Sequence, residues 1–278
     1  ATNGLVITGA DTSRQVSLSA LADHANYVAV LEVVDADNLT NITVLYFDTF
    51  ATYDFVVEVE DYNFSGGQYL DDPLLVPENQ FDFAGYRGQM GGPGIDYSDT
   101  KNYIANAPYR PSDGVGMQRS LDVQRQKFVD AGGSEGGYYD YDVGDIEPNE
   151  WLNFTRTFPD GTYEVYVRQS LINLAQSECV LERVLTSASE PNQTTEVVGS
   201  FLGSITGFRY RNFPLTDASG QQKVILQLGG TETFRLRQVT GDPADGYIYQ
   251  NYLIFIPAEG SGVQRPLITS LQPAPGAV

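Results

Sequence analysis

The sequence predicts an all-β protein, a β-sandwich, on three observations. Short runs rich in Val, Ile, Tyr and Phe alternate with polar residues and stop at Gly, Asp, Asn or Pro, the period-two pattern of half-buried strands. No regular helical repeat lies between them, which excludes the alternating strand–helix plan of a parallel sheet. Hydrophobic residues make up 41% and aromatics 12% of the 278 positions, enough for a packed core. The 18 tyrosines suit pleated surfaces and also make flat platforms for ligand rings.

Taken in order, residues 1–50 form a short strand-rich block with runs at 27–34 and 42–47, joined by the turn Asp35-Ala36-Asp37-Asn38. Residues 53–258 form the main domain. It opens with a run at 55–60 and continues through runs at 162–168, 223–228, 233–239 and 247–256. Between them, residues 71–135 carry few strand signals and much Gly, Pro, Asp and Tyr. A loop region of that length is functional or braced. Residues 170–186 hold either a turn or two of helix or a further strand. Residues 259–278, rich in Gly, Pro and Ser, read as a linker or docking strand.

Leu21 and Tyr27 stand just ahead of the run at 27–34. The pair resembles the tyrosine corner of fibronectin type III domains, where a tyrosine hydroxyl bonds back to the preceding chain. The resemblance covers the second half of such a domain, so residues 1–50 are a partial fibronectin III or Ig-like half-domain. The segment from Arg265 to Pro273 looks like the first strand of the same kind of domain. Half a sandwich exposes apolar faces and strand edges. Residues 264–278 of one copy are therefore expected to complete residues 1–50 of the next, unless the chain is a piece of a longer tandem array.

The net charge of −20 makes nucleic acid and anionic membranes poor partners. One cysteine, Cys179, allows neither an intrachain disulfide nor a thiolate metal cluster. No apolar run approaches the ~20 residues that span a bilayer, and no secretion signal is evident, so a mature or excised form is expected. Sequons at Asn38, Asn41, Asn63, Asn153 and Asn192 are weak marks of glycosylation.

Four stretches of the main domain are similar to family 6 carbohydrate-binding modules. The first is Val57-Glu58-Val59-Glu60-Asp61-Tyr62 with Gly66-Gly67-Gln68-Tyr69. The second runs from Gly137 to Gly144 and on through Asn149-Glu150-Trp151-Leu152-Asn153-Phe154. The third is Phe158-Pro159-Asp160-Gly161-Thr162-Tyr163-Glu164-Val165-Tyr166-Val167-Arg168, and the fourth Asn251-Tyr252-Leu253-Ile254-Phe255. The resemblance implies a jelly-roll sandwich, outside the cell or at its surface, that binds a polysaccharide. It also implies a structural calcium between the first and last strands, with Glu58, Glu60 and Asn251 as ligands. The residue pattern agrees: two glutamates at i and i+2 share a strand face, and either a cation relieves their repulsion or both are solvated.

Two positions depart from the family pattern: Asp145 follows Gly144 where an aromatic is usual, and Tyr249 replaces an asparagine. The candidate sugar-binding residues are therefore Tyr109 with Asp113, Tyr138, Tyr139, Asp145, Tyr247 and Tyr249, because aromatic faces stack on pyranose rings while polar neighbours bond the hydroxyls. Trp151, the single tryptophan, is expected under the sheet beside Leu152 and Phe154.

Nothing points to catalysis. The sole histidine, His24, reads as a surface turn residue outside the main domain. No His-Glu-x-x-His motif occurs, and Gly91-Gly92-Pro93-Gly94 lacks the lysine of a phosphate loop. The expected role is a non-enzymatic carbohydrate-binding module. The alternative is a repeating subunit of a surface layer, adhesin or filament, joined head to tail.

Overall fold

The computed structural model describes residues 4–10, 13–35, 37–51, 54–79, 84–100, 109–241 and 247–258. Residues 259–278, and with them the docking strand expected at 264–278, lie outside the described residues. Strands dominate, in keeping with the alternation. The elements are β1 (Leu5–Thr8), β2 (Gln15–Leu18), β3 (Asn26–Val34), β4 (Thr40–Asp48), β5 (Phe55–Glu58), β6 (Tyr97–Ser98), β7 (Met117–Arg119), a single helical turn α1 (Gln126–Asp130) and β8 (Tyr141–Val143). They continue with β9 (Trp151–Leu171), β10 (Gln176–Val184), β11 (Thr195–Ser204), β12 (Arg211–Thr216), β13 (Ile225–Gln238) and β14 (Ile248–Pro257). No helix among the described residues is long and apolar enough to cross a membrane.

From β5 to β14 the strands form one antiparallel sheet folded on itself. The 21-residue β9 is the spine. One edge pairs with β13 and then β12, the other with β14, and β10 and β11 close the circuit from β13 round to β12. The first and last strands of this domain, β5 and β14, lie side by side, with Phe55 opposite Phe255 and Glu58 opposite Tyr252. Inside sit Phe154, Phe158, Phe201, Phe234 and Phe255, packed with Val165, Val167, Leu181 and Leu253. Phe158 centres this cluster, its ring 5.0 Å from those of Phe55 and Phe255 and 5.6 Å from that of Phe234.

Several boundaries differ from the sequence reading. The runs at 223–228 and 233–239 are one strand, β13, with a register shift between Leu228 and Gly230 and a left-handed Gly230 at φ 71°. The glycine pair bends the strand without ending it. The run at 162–168 likewise extends back through Pro159 to Trp151 in β9. Residues 170–186 are strand, not helix, divided between the end of β9 and β10. The opening run stops at Glu58, and Val59–Asp61 turns as a 3-10 helix.

Trp151 is half-buried on the outer face, not under the sheet. With Leu152 and Phe154 in the core, period-two alternation puts Trp151 on the opposite side, where the Arg235 guanidinium lies 3.7 Å from its ring centroid. The long loop region is braced. Asp113 accepts from Tyr62 Oη at 2.6 Å and Arg110 Nε at 2.9 Å, and Arg110 also donates to the carbonyls of Tyr62 and Asn63. Asp96 accepts from the amides of Gly66, Gly67 and Gly92. Cys179 is fully buried, and burial raises its thiol to about 12, which keeps it protonated and inert.

Among the described residues of 4–51, β1–β2 and β3–β4 are two antiparallel hairpins, and no strand pairing joins one to the other. Tyr27 Oη does bond back, accepting from the Ala22 amide at 2.6 Å. The β3–β4 hairpin touches the main domain through Asn212 Nδ2 donating to Asp48 Oδ2 at 2.7 Å and through Arg211 over the Tyr46 ring at 3.4 Å. His24 does occupy a turn, at φ 54°, but its ring is turned inward, Nδ1 lying 3.1 Å from Asp54 Oδ2. Asn63 and Asn153 are completely buried, so those two sequons cannot carry glycans in the folded protein.

Candidate functional site

The site lies where the first and last strands of the main domain meet. Glu58 ends β5, and the 3-10 turn that follows swings Glu60 back toward it. On β14 a register shift between Gln250 and Tyr252 sets Asn251 out of line with its β9 neighbours. Asp140 arrives just ahead of β8. Carboxylate oxygens of Glu58, Glu60 and Asp140 lie within 4.8 Å of one another. Asn251 joins them, its Nδ2 donating to Asp140 Oδ2 at 3.2 Å. All four residues are buried, Asn251 completely.

The glutamates therefore converge through a turn and not through the i, i+2 spacing of one strand. Four oxygens stay without a hydrogen-bond partner: Glu58 Oε2, Glu60 Oε2, Asp140 Oδ1 and Asn251 Oδ1. Buried acceptors are nearly always satisfied, so an unpartnered oxygen on each of four neighbouring side chains marks a position suited to a positive charge. Two side chains neutralise part of the cluster, since Glu58 Oε1 pairs with both Arg125 and Lys127.

The electrostatics follow. Burial, then the charges of Asp61 and Asp140, push the Glu60 carboxyl well above its ordinary range. Burial raises Asp61 too, against the opposing pull of Lys127. Burial lifts Asp140 to about 6. Burial, then the charge of the nearby Arg125, lowers the Lys127 ammonium to about 8. The donors are oxygens alone, hard ligands of the kind Ca²⁺ gathers at 2.3–2.6 Å in sets of six to eight. With no thiolate or imidazole among them, a soft or borderline metal is disfavoured.

Glu58, Glu60 and Asn251 are thus brought together as the sequence reading expected, and Asp140 is the member it did not single out. Its signal lay in the stretch Tyr138-Tyr139-Asp140-Tyr141-Asp142, where acids alternate with tyrosines.

The expected sugar residues fall into three groups. Tyr109, Tyr138 and Tyr139 line the acidic pocket itself, together with Phe128 and Tyr141. Tyr109 stacks on Tyr141 at 4.9 Å and donates to Asp61 Oδ1 at 2.6 Å. Arg119 covers the Tyr139 ring at 3.8 Å. Asp113 is the correction: its side chain is wholly buried in the Arg110 pair and has no exposed oxygen to offer a sugar. Three residues of loop separate it from Tyr109, but long-range partners decide which way each points. The third group is at the start of β14. Tyr247, 48% exposed, and Tyr249 lie nearly parallel, 6.3 Å apart at 16°. A side chain at Gly144 would collide with the Tyr249 ring, so the glycine seats that ring. Asp145 follows in a left-handed turn at φ 54°, half-buried beside the pair.

Fold and site together define an antiparallel β-sandwich domain with a buried cluster of carboxylates where its first and last strands meet and a near-parallel pair, exposed Tyr247 and half-buried Tyr249, at the start of β14. No known family profile matches the sequence, and no curated protein matches it. Among solved structures it is similar to a family 36 carbohydrate-binding module in complex with calcium and xylotriose, at 18% identity over 41% of this chain and 78% of that one, TM-score 0.29. It is also similar to a β-1,3-glucan-binding family 6 module from Bacillus halodurans (14% identity, 51% and 85% covered, TM-score 0.36). A third is a family 6 module from Clostridium cellulolyticum in complex with xylose (19% identity, 51% and 87% covered, TM-score 0.33). These overlaps are partial, and the fold assignment stands on the strand pairing itself.

Proposed function

We propose that the main domain is a non-catalytic carbohydrate-binding module, acting outside the cell or at its surface, that holds a polysaccharide at the Tyr247–Tyr249 end. The near-parallel tyrosine pair, Tyr247 exposed and Tyr249 half-buried, carries this reading. The apolar C–H face of a pyranose matches an aromatic face. Gly144 and Asp145 supply the firm floor and an oxygen beside it. The predominantly acidic surface suits a neutral glycan better than a phosphorylated one.

A calcium ion in the acidic pocket has a structural part in this reading. Glu58, Glu60, Asp140 and Asn251 would hold it, since their unpartnered oxygens match its donor chemistry. When bound it supplies charge compensation that ties β5 to β14. The chain's own residues then fix the pocket walls, and the sugar end is held by the same β14 that carries Asn251.

Affinity electrophoresis through gels containing xylan, β-1,3-glucan or cellulose derivatives tests the sugar reading. Retardation of the wild type by at least one polysaccharide, lost in Tyr247→Ala, is the expected result. A wild type that migrates freely in every gel sinks it, as does a Tyr247→Ala protein retarded to the same extent.

One observation favours a second reading, a self-assembling surface or filament subunit. Residues 4–51 leave Leu5, Ile7, Val16, Val28, Val30 and Ile42 exposed, an apolar display that monomers rarely keep uncovered. Residues 264–278 of another copy are the proposed cover. Sedimentation velocity over a concentration series tests this. Association abolished by deleting 264–278 supports it, and a monomer at every concentration refutes it.

A further inference from the structure

Resting on the calcium reading above, we propose that Lys127 is an internal counter-cation of the acidic pocket, and that a divalent cation enters by exchange with its ammonium group. Glu58, Glu60 and Asp61 line the pocket, and Asp140 brings a carboxylate oxygen within 4.8 Å of those of Glu58 and Glu60. Arg125 and Lys127 both pair with Glu58, while Arg156 and Arg110 act on Asp61. The Lys127 Nζ sits on Glu58 Oε1, beside the second oxygen of the same carboxylate, which has no partner. An ammonium supplies one positive charge and three donors. It cannot satisfy four acceptors spread over four side chains.

A divalent ion among the same oxygens places two charges where the lysine offers one, and it repels the lysine at close range. The two cations therefore compete for the carboxylates. Lys127 also has somewhere to go. Its side chain is 35% exposed, and it lines both the acidic pocket and an adjoining groove of about 430 Å³. That groove runs between α1 and the base of the β3–β4 hairpin and carries the carboxylates of Asp130 and Asp48. A swing of one flexible side chain moves the ammonium from one set of acids to the other. Arg125 is held differently, with its guanidinium 5.2 Å from the Tyr252 ring, so it stays as a wall of the pocket.

Two measurements test the exchange. Isothermal titration with CaCl₂ compares the wild type with Lys127→Met, and with Lys223→Met as a remote control. Removing the competitor is expected to tighten calcium binding tenfold or more, with the control unchanged. Equal or weaker binding by Lys127→Met overturns the exchange while leaving the calcium site standing. Absence of calcium binding in both proteins overturns the site and the exchange together. The second measurement needs no variant. The chain has three lysines, so amine acetylation followed by peptide mass spectrometry reads Lys127 directly. Calcium is expected to speed its acetylation several-fold relative to Lys223. Unchanged or slower labelling on calcium addition, in protein that binds the ion, refutes the proposal.

Discussion

Asp140→Asn carries opposite signs with and without calcium, which makes it a sharp test of the buried pocket. Without the ion, Asp140 is a carboxylate held in the interior within 4.8 Å of two others. Burial lifts its carboxyl from 3.8 to about 6, which corresponds to about 3 kcal/mol at neutral pH. Asparagine keeps an oxygen that can accept from Asn251 Nδ2 and removes the charge. Allowing about 1 kcal/mol for a poorer hydrogen bond, the variant gains about 2 kcal/mol in EDTA. That is a rise of roughly 4–8 °C in Tm for a domain of this size. Calcium at a hundredfold excess over its Kd stabilises the wild type by about 2.7 kcal/mol, and the variant, short of one charge, by much less. Scanning calorimetry of both proteins in 5 mM CaCl₂ and in EDTA reads all four values. A wild-type Tm indifferent to calcium, or an Asp140→Asn protein less stable than wild type in EDTA, refutes the reasoning.

Three further outcomes follow from the same structure. Calcium affinity falls as pH drops through 6, about tenfold by pH 5, because Asp140 must lose its proton to bind the ion; titration at pH 7, 6 and 5 measures this. Stability of the cation-free protein runs the other way. The folded Asp140 value is raised above the unfolded one, so its contribution is complete below about 3.8 and is lost as pH rises through about 6; urea melts in EDTA across that window should weaken with rising pH. Phe158→Ala, at the centre of the aromatic cluster, costs 3–5 kcal/mol by urea melts, as does Phe154→Ala, whereas Trp151→Ala on the outer face costs distinctly less.

Much of the fold was legible in local pattern. The alternation in residues 247–256 is β14 almost to the residue, and Leu152 and Phe154 announce the core face of β9. What could not be read were features set by pairs of distant segments. Gly229 and Gly230 look like a strand break, yet they lie against Asp160 and Phe158 of β9, and only that pairing turns two runs into one bent strand. Tyr109 and Tyr139 look like open platforms because the sequence does not show that Tyr141 and Arg119 lie across them. Glu58, Glu60 and Asn251 were legible because each stands in a stretch that resembles a family 6 module, although Glu60 reaches the pocket through the turn after β5 and not along the strand. Asp140 was missed because its part depends on where a tyrosine-rich loop lands, a contact more than a hundred residues from Asn251 in the chain.

The pairing of β5 with β14 also has a mechanical side. Phe55 opens one strand where Phe255 nears the end of the other, so tension pulling residues 54 and 258 apart peels the pair open like a zipper, one rung at a time. Such geometry yields at low load until the peel reaches Glu58, opposite Tyr252, where an ion bridging the two strands would act as a catch.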